Sequence, residues 1–360
     1  MTTKRQLSEE RQIPSDQWRR LVILFTLCIG AGFVADALRV PLAWMIGPMF
    51  AGTVLSLCGY APTLHHSARG LGQLMVAAAV GLYFTPSALS QTLSNIHYMV
   101  AVAILATLAG CITTFLLLRL TSSDIATALF ASIPGGPGEM AQLAEQKGGS
   151  AALVAIAQSL RIAMVVTLVP ISLVVADVGE LSMGGSVVMP VVGPVGVMGV
   201  LLIAMLFALV FQRIGIISPM FMGPLAASAF LASTGIYDFG FPRLVICSGQ
   251  LLLGASLGLI FTKDLIRRAP RFLLVSTLLT ALLMVICACM GYVVSQTIDW
   301  DFPTMLLATA PGSVSEMSIT AEALGLGVAG VAAFQIVRLF VMVPLTPLLY
   351  RLACMCGRSG

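Results

Sequence analysis

Four ionisable side chains stand in stretches otherwise made almost wholly of apolar letters: Glu139, Arg161, Glu316 and Arg338. Each glutamate follows a backbone-breaking segment, SIPGGPGEM at 132–140 and APGSVSEM at 310–317. Each arginine follows a glutamine by three residues, Gln158 before Arg161 and Gln335 before Arg338, so amide and guanidinium share one helix face. Arg161 lies about ten residues inside its apolar run, roughly 15 Å deep at 1.5 Å per residue. A cation at such depth costs about 2.5–3.5 kcal/mol on insertion scales and must face a partner or water. Two chemistries fit. Arginine can pair with glutamate to rivet a broken segment to a helix, or it can face an anionic solute.

The breaks carry the second part of the chemistry. Pro134 and Pro137 stop a continuous helix, and Gly135, Gly136 and Gly138 permit turns closed to other residues; Gly312 stands in the second break. Irregular backbone at membrane depth is tolerated only where protein buries it or it lines a cavity. A helix restarting after the break leaves free N–H groups suited to an anion. Glu139 and Glu316 sit at that restart. They read either as acids stabilising a helix N-terminus, worth about 0.3–1 kcal/mol, or as proton or cation sites. Ser122, Ser123 or Asp124 can cap the short helix before the first break, and Asp301, with Pro303 after it, repeats the arrangement.

These elements sit in a chain of 360 residues, 58 % hydrophobic and 9 % charged, with a mean hydropathy of +1.01. Soluble domains carry about 25 % charged residues. The composition therefore predicts an all-α polytopic membrane protein, its apolar runs close to the length of spanning helices rather than of barrel strands. A net charge of +4 without a basic face gives no nucleic-acid footprint. Residues 19–37 mimic a signal peptide, but the long polar lead and a matching helix in the second half argue for a retained helix. The eight cysteines read as small packing residues, and neither cofactor nor metal is expected.

Shifted by 177 residues, the sequence aligns with itself. Gly72-Gln73 meets Gly249-Gln250, Asp124 meets Asp301, Thr127 meets Thr304, Glu139-Met140 meets Glu316-Met317, Glu145 meets Glu322, and Gln158 and Arg161 meet Gln335 and Arg338. Matching polar letters in order, in so apolar a chain, indicate duplication. The predicted organisation is a segment 1–19, a first repeat 20–180 and a second repeat 181–360. Each repeat has about five transmembrane helices plus one re-entrant or broken helix. The helices are predicted at 20–38, 41–60, 68–86, 96–119 and 149–176, then at 191–212, 217–235, 242–262, 272–296 and 327–350. The broken elements are 124–147 and 301–323.

Cations near helix ends mark the cytoplasmic side. Residues 1–20, the loops with Arg69 and Arg119, the loop with Lys263, Arg267, Arg268 and Arg271, and the tail with Arg351 and Arg358 fall on one side if each broken element re-enters. The loop 87–95, the joint near Asp177 and Glu180 and the loop around Asp299 fall on the other. That count makes the repeats inverted, with both termini cytoplasmic, an arrangement shared by many secondary transporters. Gln73 and Gln250 read as helix-packing neighbours or as pathway residues, and Glu145 and Glu322 as interfacial. Gly-Pro at 47–48 and 223–224 is expected to kink the second helix of each repeat.

The pattern PGGPGEM with Gln158-x-x-Arg161, echoed by PGSVSEM with Gln335-x-x-Arg338, resembles the bacterial membrane proteins of the AbrB, or AbrB duplication, family from about Trp18 to Tyr350. Some members carry an ammonia monooxygenase label and others a gene-regulator label. The layout is similar to the cation/proton antiporter and anion transporter superfamily, where paired glycine-rich breaks form the transport site. The resemblance implies an inner-membrane location and, by analogy, a homodimer. The second copy departs from the pattern, with Ser313 and Val314 after Gly312.

The expected function is secondary transport of a small, anionic organic solute coupled to H⁺ or Na⁺, with no enzymatic step; the expected partners are lipid, the solute or ion and, by analogy, a second copy of the chain, with no nucleic acid. The candidate site residues are Glu139, Gln158, Arg161, Glu316, Gln335, Arg338, Gly135, Gly136, Gly138 and Gly312, with Gln73 and Gln250 in the pathway. One alternative is a regulator acting indirectly on gene expression, since no loop houses a DNA-binding module. A monooxygenase is disfavoured: His65 and His66 fall opposite His97 and cannot share a metal.

Overall fold

The computed structural model describes residues 15–175 apart from 65, and 193–357 apart from 235–239, 264–266 and 268. Most of the segment 1–19, the repeat boundary with Asp177 and Glu180, His65, Arg268 and Arg358 lie outside the described residues. Among the described residues the elements are helices joined by turns and loops, with no strand: α1 Ser15–Ala37, α2 Ala43–Leu57, α3 His66–Gly81, α4 Pro86–Ser94, α5 Ile96–Leu120, α6 Ile125–Ser132, α7 Pro137–Gln146 and α8 Ala151–Val175. The second series is α9 Pro194–Ile214, α10 Pro219–Ser233, α11 Arg243–Gly258, α12 Pro270–Ser295, α13 Phe302–Thr309, α14 Val314–Ala323 and α15 Val328–Gly357. The order of long, short and broken helices repeats between the two series.

Among the described residues six helices (α1, α5, α8, α9, α12 and α15) are long and apolar enough to cross a bilayer. The protein is therefore a multi-pass membrane protein. α2, α10 and α11 are apolar but only 15 or 16 residues long, and at 1.5 Å per residue they fall short of the ~30 Å hydrocarbon layer. The expected loop 87–95 is instead α4, which meets α3 at 93°. Its start is set by Thr85, whose hydroxyl accepts from the Ala88 N–H, and by Pro86 in the first turn, where a missing N–H costs nothing.

Packing gathers the helices by position rather than by repeat. α1, α2 and α3 pack with α9, α10 and α11, while α5–α8 pack with α12–α15. The two groups meet where α3 and α4 lie against α14 and α15, over a buried apolar cluster that includes Val76, Val80, Phe221, Leu253, Met305 and Phe334.

Glycine makes the first group possible. Gly72 and Gly249 sit against each other's carbonyls, so α3 and α11 cross at equivalent points of the two series. Pro48 and Pro224 lie inside continuous helices, and the glycine before each seats the helix on its predecessor, Gly47 at Ala31 and Gly223 at Ala208. At Gly254 a Cβ would run into the Met45 carbonyl, where nothing flexible can yield. Gly254→Ala is expected to lower stability by about 1–3 kcal/mol through overpacking. Gly199→Ala, on open space in α9, is expected to be neutral or to stabilise by up to ~1 kcal/mol. Thermal unfolding of the two detergent-purified variants checks the contrast.

Candidate functional site

Each broken element is a helical hairpin, α6–α7 and α13–α14, and each is pinned at both ends by the same chemistry. Asp124 caps α6, accepting from the Thr127 N–H at 2.7 Å and hydroxyl at 2.6 Å. Asp301 caps α13, accepting from the Thr304 N–H at 3.2 Å. The two threonines then accept from the chain that opens the next long helix, Thr127 from Ser150 N–H and Thr304 from Gly327 N–H. Loss of a cap costs about 0.5–2 kcal/mol. Asp124→Ala is expected near the upper end of that range and Asp301→Ala, with its single longer bond, near the lower end, both read by thermal unfolding.

At the other end α6 and α13 stop in the protein interior, leaving C-terminal carbonyls with no helical partner. The glutamine–arginine pairs satisfy them. Gln158 Nε2 donates to Phe130 O at 2.6 Å and Ile133 O at 2.8 Å, and Arg161 donates to Ser132 O at 3.1 Å and more distantly to Ala131 O and Ile133 O. One series further on, Gln335 Nε2 donates to Leu307 O, Ala308 O and Ala310 O, and Arg338 to Ala310 O and Gly312 O. Within each pair the arginine also donates to the glutamine Oε1. The glutamine is wholly buried in both copies. The rivet foreseen between arginine and glutamate is thus an arginine–carbonyl rivet. A cation at a helix C-terminus also complements the helix dipole.

The two hairpins approach from opposite ends of α15. Near its start, Val328 and Ala329 share a cavity with Asp301 and Glu322, the outer ends of α13 and α14. In its middle, Arg338 holds the break between them. Towards its end, the Tyr350 hydroxyl donates to the Lys147 carbonyl, at the outer end of α7. From Val328 to Tyr350 is roughly 33 Å along the helix.

The breaks meet in one small cavity of about 50 Å³ between the two helix groups. From the first group come Arg69, Gln73, Ser218, Phe221 and Met222; from the second come Pro134, Gly135, Gly136, Pro137, Glu139, Gly312, Ser313, Gln335 and Arg338. Glu139 is half-buried, facing Arg69 and Ser218. Glu316 is fully buried, with one carboxylate oxygen 4.0 Å from Arg69 Nη2 and without a hydrogen bond. Ser218 holds φ at 54°. Leu42, its counterpart at the start of α2, does the same away from the cavity, so this backbone form belongs to the architecture and not to the site.

Of the expected site residues, Gly135, Gly136, Glu139, Gly312, Gln335, Arg338 and Gln73 therefore line the cavity, with Glu316 beside it. The rest lie elsewhere. Arg161 faces a separate void of about 10 Å³ with Thr113, Ser276 and Thr280. Gln158 is buried on the α6 carbonyls, Gly138 is exposed, and Gln250 is buried outside the cavity lining. Three residues were missed. Arg69, expected in a loop, lies in α3, one-fifth exposed; its counterpart is Ile246 (69 + 177), so duplication gave no signal for it. Ser218 was passed over for the same reason, its counterpart at the start of α2 being Leu42, at the offset of 176 that Gly47-Pro48 and Gly223-Pro224 share. Tyr83 donates to Glu322 at 3.3 Å and joins it in a second cavity of about 320 Å³, again between the two helix groups. Glu145, by contrast, is exposed as expected. Among the described residues no three side chains of metal-ligating type lie together.

Comparison with known proteins gives a consistent picture. The family model described as "Transition state regulatory protein AbrB" matches residues 44–353. An Escherichia coli (strain K12) protein named "Putative regulator AbrB" is 29 % identical over 345 residues, covering 94 % of this chain and 97 % of the relative. A Bacillus subtilis (strain 168) protein named "Uncharacterized protein YhjN" is 21 % identical over 369 aligned positions, covering 96 % of this chain and 95 % of the relative.

Proposed function

Because the chain belongs to the AbrB family, and is built as a multi-pass membrane protein around two broken hairpins, we propose that it is a secondary transporter of a small anionic organic solute, driven by H⁺ or Na⁺. The observation that carries this reading is the convergence of both hairpin breaks, Arg338, Arg69 and two glutamates on one cavity between two separately packed helix groups. Hairpins entering from opposite ends of α15 support an inverted pair of repeats, the arrangement in which transport sites lie near the midplane. Under the charge rule of membrane topology, the end with Arg119, Lys147 and Arg351 then faces the cytoplasm of an inner membrane, with both termini on that side.

The solute's anionic group is recognised by Arg338 and Arg69 and by the free N–H groups at the start of α7 and α14. Glu316, held towards Arg69 across the group boundary, competes with it. Occupation of Glu316 by the coupling cation releases Arg69 for the solute. The cavity has room for only a few waters at about 10–15 Å³ each. Loading therefore requires the two groups to separate. The buried apolar cluster where the two helix groups meet, which includes Val80 and Phe334, must part as they do.

The chain has no proposed enzymatic step and no proposed contact with nucleic acid. The word regulator in the name of the Escherichia coli relative fits an indirect role, in which a moved metabolite alters transcription. Uptake into proteoliposomes, screened over small mono- and dicarboxylates with imposed pH or sodium gradients, tests the reading. Gradient-dependent accumulation is the expected result; leak-level flux for every solute, from protein shown to be folded, rejects it.

A further inference from the structure

We infer that the groove between α5, α6 and α15 is a binding site for an anionic phospholipid, with Arg119 as the headgroup ligand. The groove encloses about 610 Å³ and lies apart from the solute cavity. That volume is within the range of ligand pockets, about 300–1,000 Å³. Its walls are apolar, with Phe115, Leu118, Ile125, Leu129, Leu349 and Leu352 among them, and one cation stands in the lining, Arg119 in the last turn of α5.

Arg119 sets the charge of the occupant. Its guanidinium lies over the Phe115 ring, 4.8 Å from the centroid. Among the described residues it has no carboxylate in ion-pair range, since the ion pairs present there are Arg69–Glu316 and Arg243–Asp36. Lys147, over the Tyr350 ring, stands outside the groove lining, which leaves Arg119 as the groove's cation. An acyl chain suits the walls and a phosphodiester suits the rim. Basic pockets between membrane helices bind anionic headgroups in this way. A free phosphate would leave the apolar walls empty.

The position gives the lipid a consequence. Ile125 and Leu129 belong to α6, the first helix of a hairpin. A chain in the groove packs directly on the element whose other end forms the cavity break, so lipid occupancy biases where that hairpin rests.

The test is competition for retained lipid, read by native mass spectrometry of the full chain from micelles holding equal phosphatidylglycerol and phosphatidylcholine. The wild type is expected to retain phosphatidylglycerol roughly fivefold over phosphatidylcholine, the factor one interfacial cation supplies. Arg119→Gln is expected to bring the ratio close to one. Arg213→Gln, an exposed arginine in the last turn of α9, is expected to leave it unchanged. Leu352→Trp, which fills the groove from a half-exposed position without touching the charge, is expected to lower retention of both lipids. The inference is overturned if the wild type shows no preference, or if Arg213→Gln lowers it as much as Arg119→Gln does. It is equally overturned if Leu352→Trp leaves retention unchanged, since the lipid is then ordinary annular lipid.

Discussion

Arg338→Gln is expected to reduce solute flux about 100-fold per folded molecule, whereas Arg161→Gln should reduce it less than tenfold while costing as much stability. Both arginines close the carbonyl end of a short helix, so either loss strands buried acceptors at about 1–3 kcal/mol each. Only Arg338 also lines the central cavity. A hydrogen bond to a charged group is worth about 1.5–3 kcal/mol, and losing it to the solute together with the cation accounts for a factor of that size. Thermal unfolding reports the shared loss, and proteoliposome uptake normalised to folded protein reports the difference. Arg338→Lys separates the two contributions: it keeps the charge but gives up the planar fork that spans Ala310 O and Gly312 O. Partial flux at reduced stability is the expected result. Equal flux in Arg161→Gln and Arg338→Gln would remove the distinction between the two copies.

That distinction was not legible in the sequence, and the reason is physical. Repeats place identical letters in corresponding helices, so Gln158–Arg161 and Gln335–Arg338 carry the same signal. Their surroundings differ because Arg338 reaches the cavity lined by Arg69 and Ser218, residues whose counterparts are Ile246 and Leu42, while Arg161 faces a separate small void. A search by duplicated polar letters selects what holds the hairpins and passes over what makes the cavity asymmetric. The hairpins themselves were legible almost to the residue. Proline, glycine and an aspartate cap mark helix ends by local chemistry, and α6 starts, α7 ends, α13 starts and α14 ends within one residue of the expected bounds 124–147 and 301–323. The helix α4 was hidden because its residues, PSALSQTLS, are few and mostly polar and form no apolar run, although Thr85-Pro86 carried the start signal. The partner of the buried arginines was hidden too, since backbone carbonyls leave no letter in a sequence.

The asymmetry also locates the coupling step, and its test is Glu316→Gln. Glu316 is fully buried in α14, yet its nearest opposite charge, Arg69, belongs to the other helix group. An ion pair across the boundary holds the groups together while no solute is bound. It also withholds Arg69 from the solute until a cation neutralises the carboxylate. Glutamine keeps the shape and removes the charge, so Arg69 is free at all times. The expected phenotype is a split. Solute exchange across the membrane persists, with a half-saturating concentration about tenfold lower, equivalent to ~1.4 kcal/mol. Accumulation against a gradient, driven by H⁺ or Na⁺, is lost. Arg69→Gln should weaken both, because it removes the group that the solute and Glu316 share. Glu139, half-buried and facing Ser218 as well as Arg69, is the matched control: Glu139→Gln should shift affinity and leave accumulation in place. If Glu316→Gln still concentrates solute as the wild type does, the cation acts elsewhere and the Arg69–Glu316 pair serves only to hold the two helix groups together.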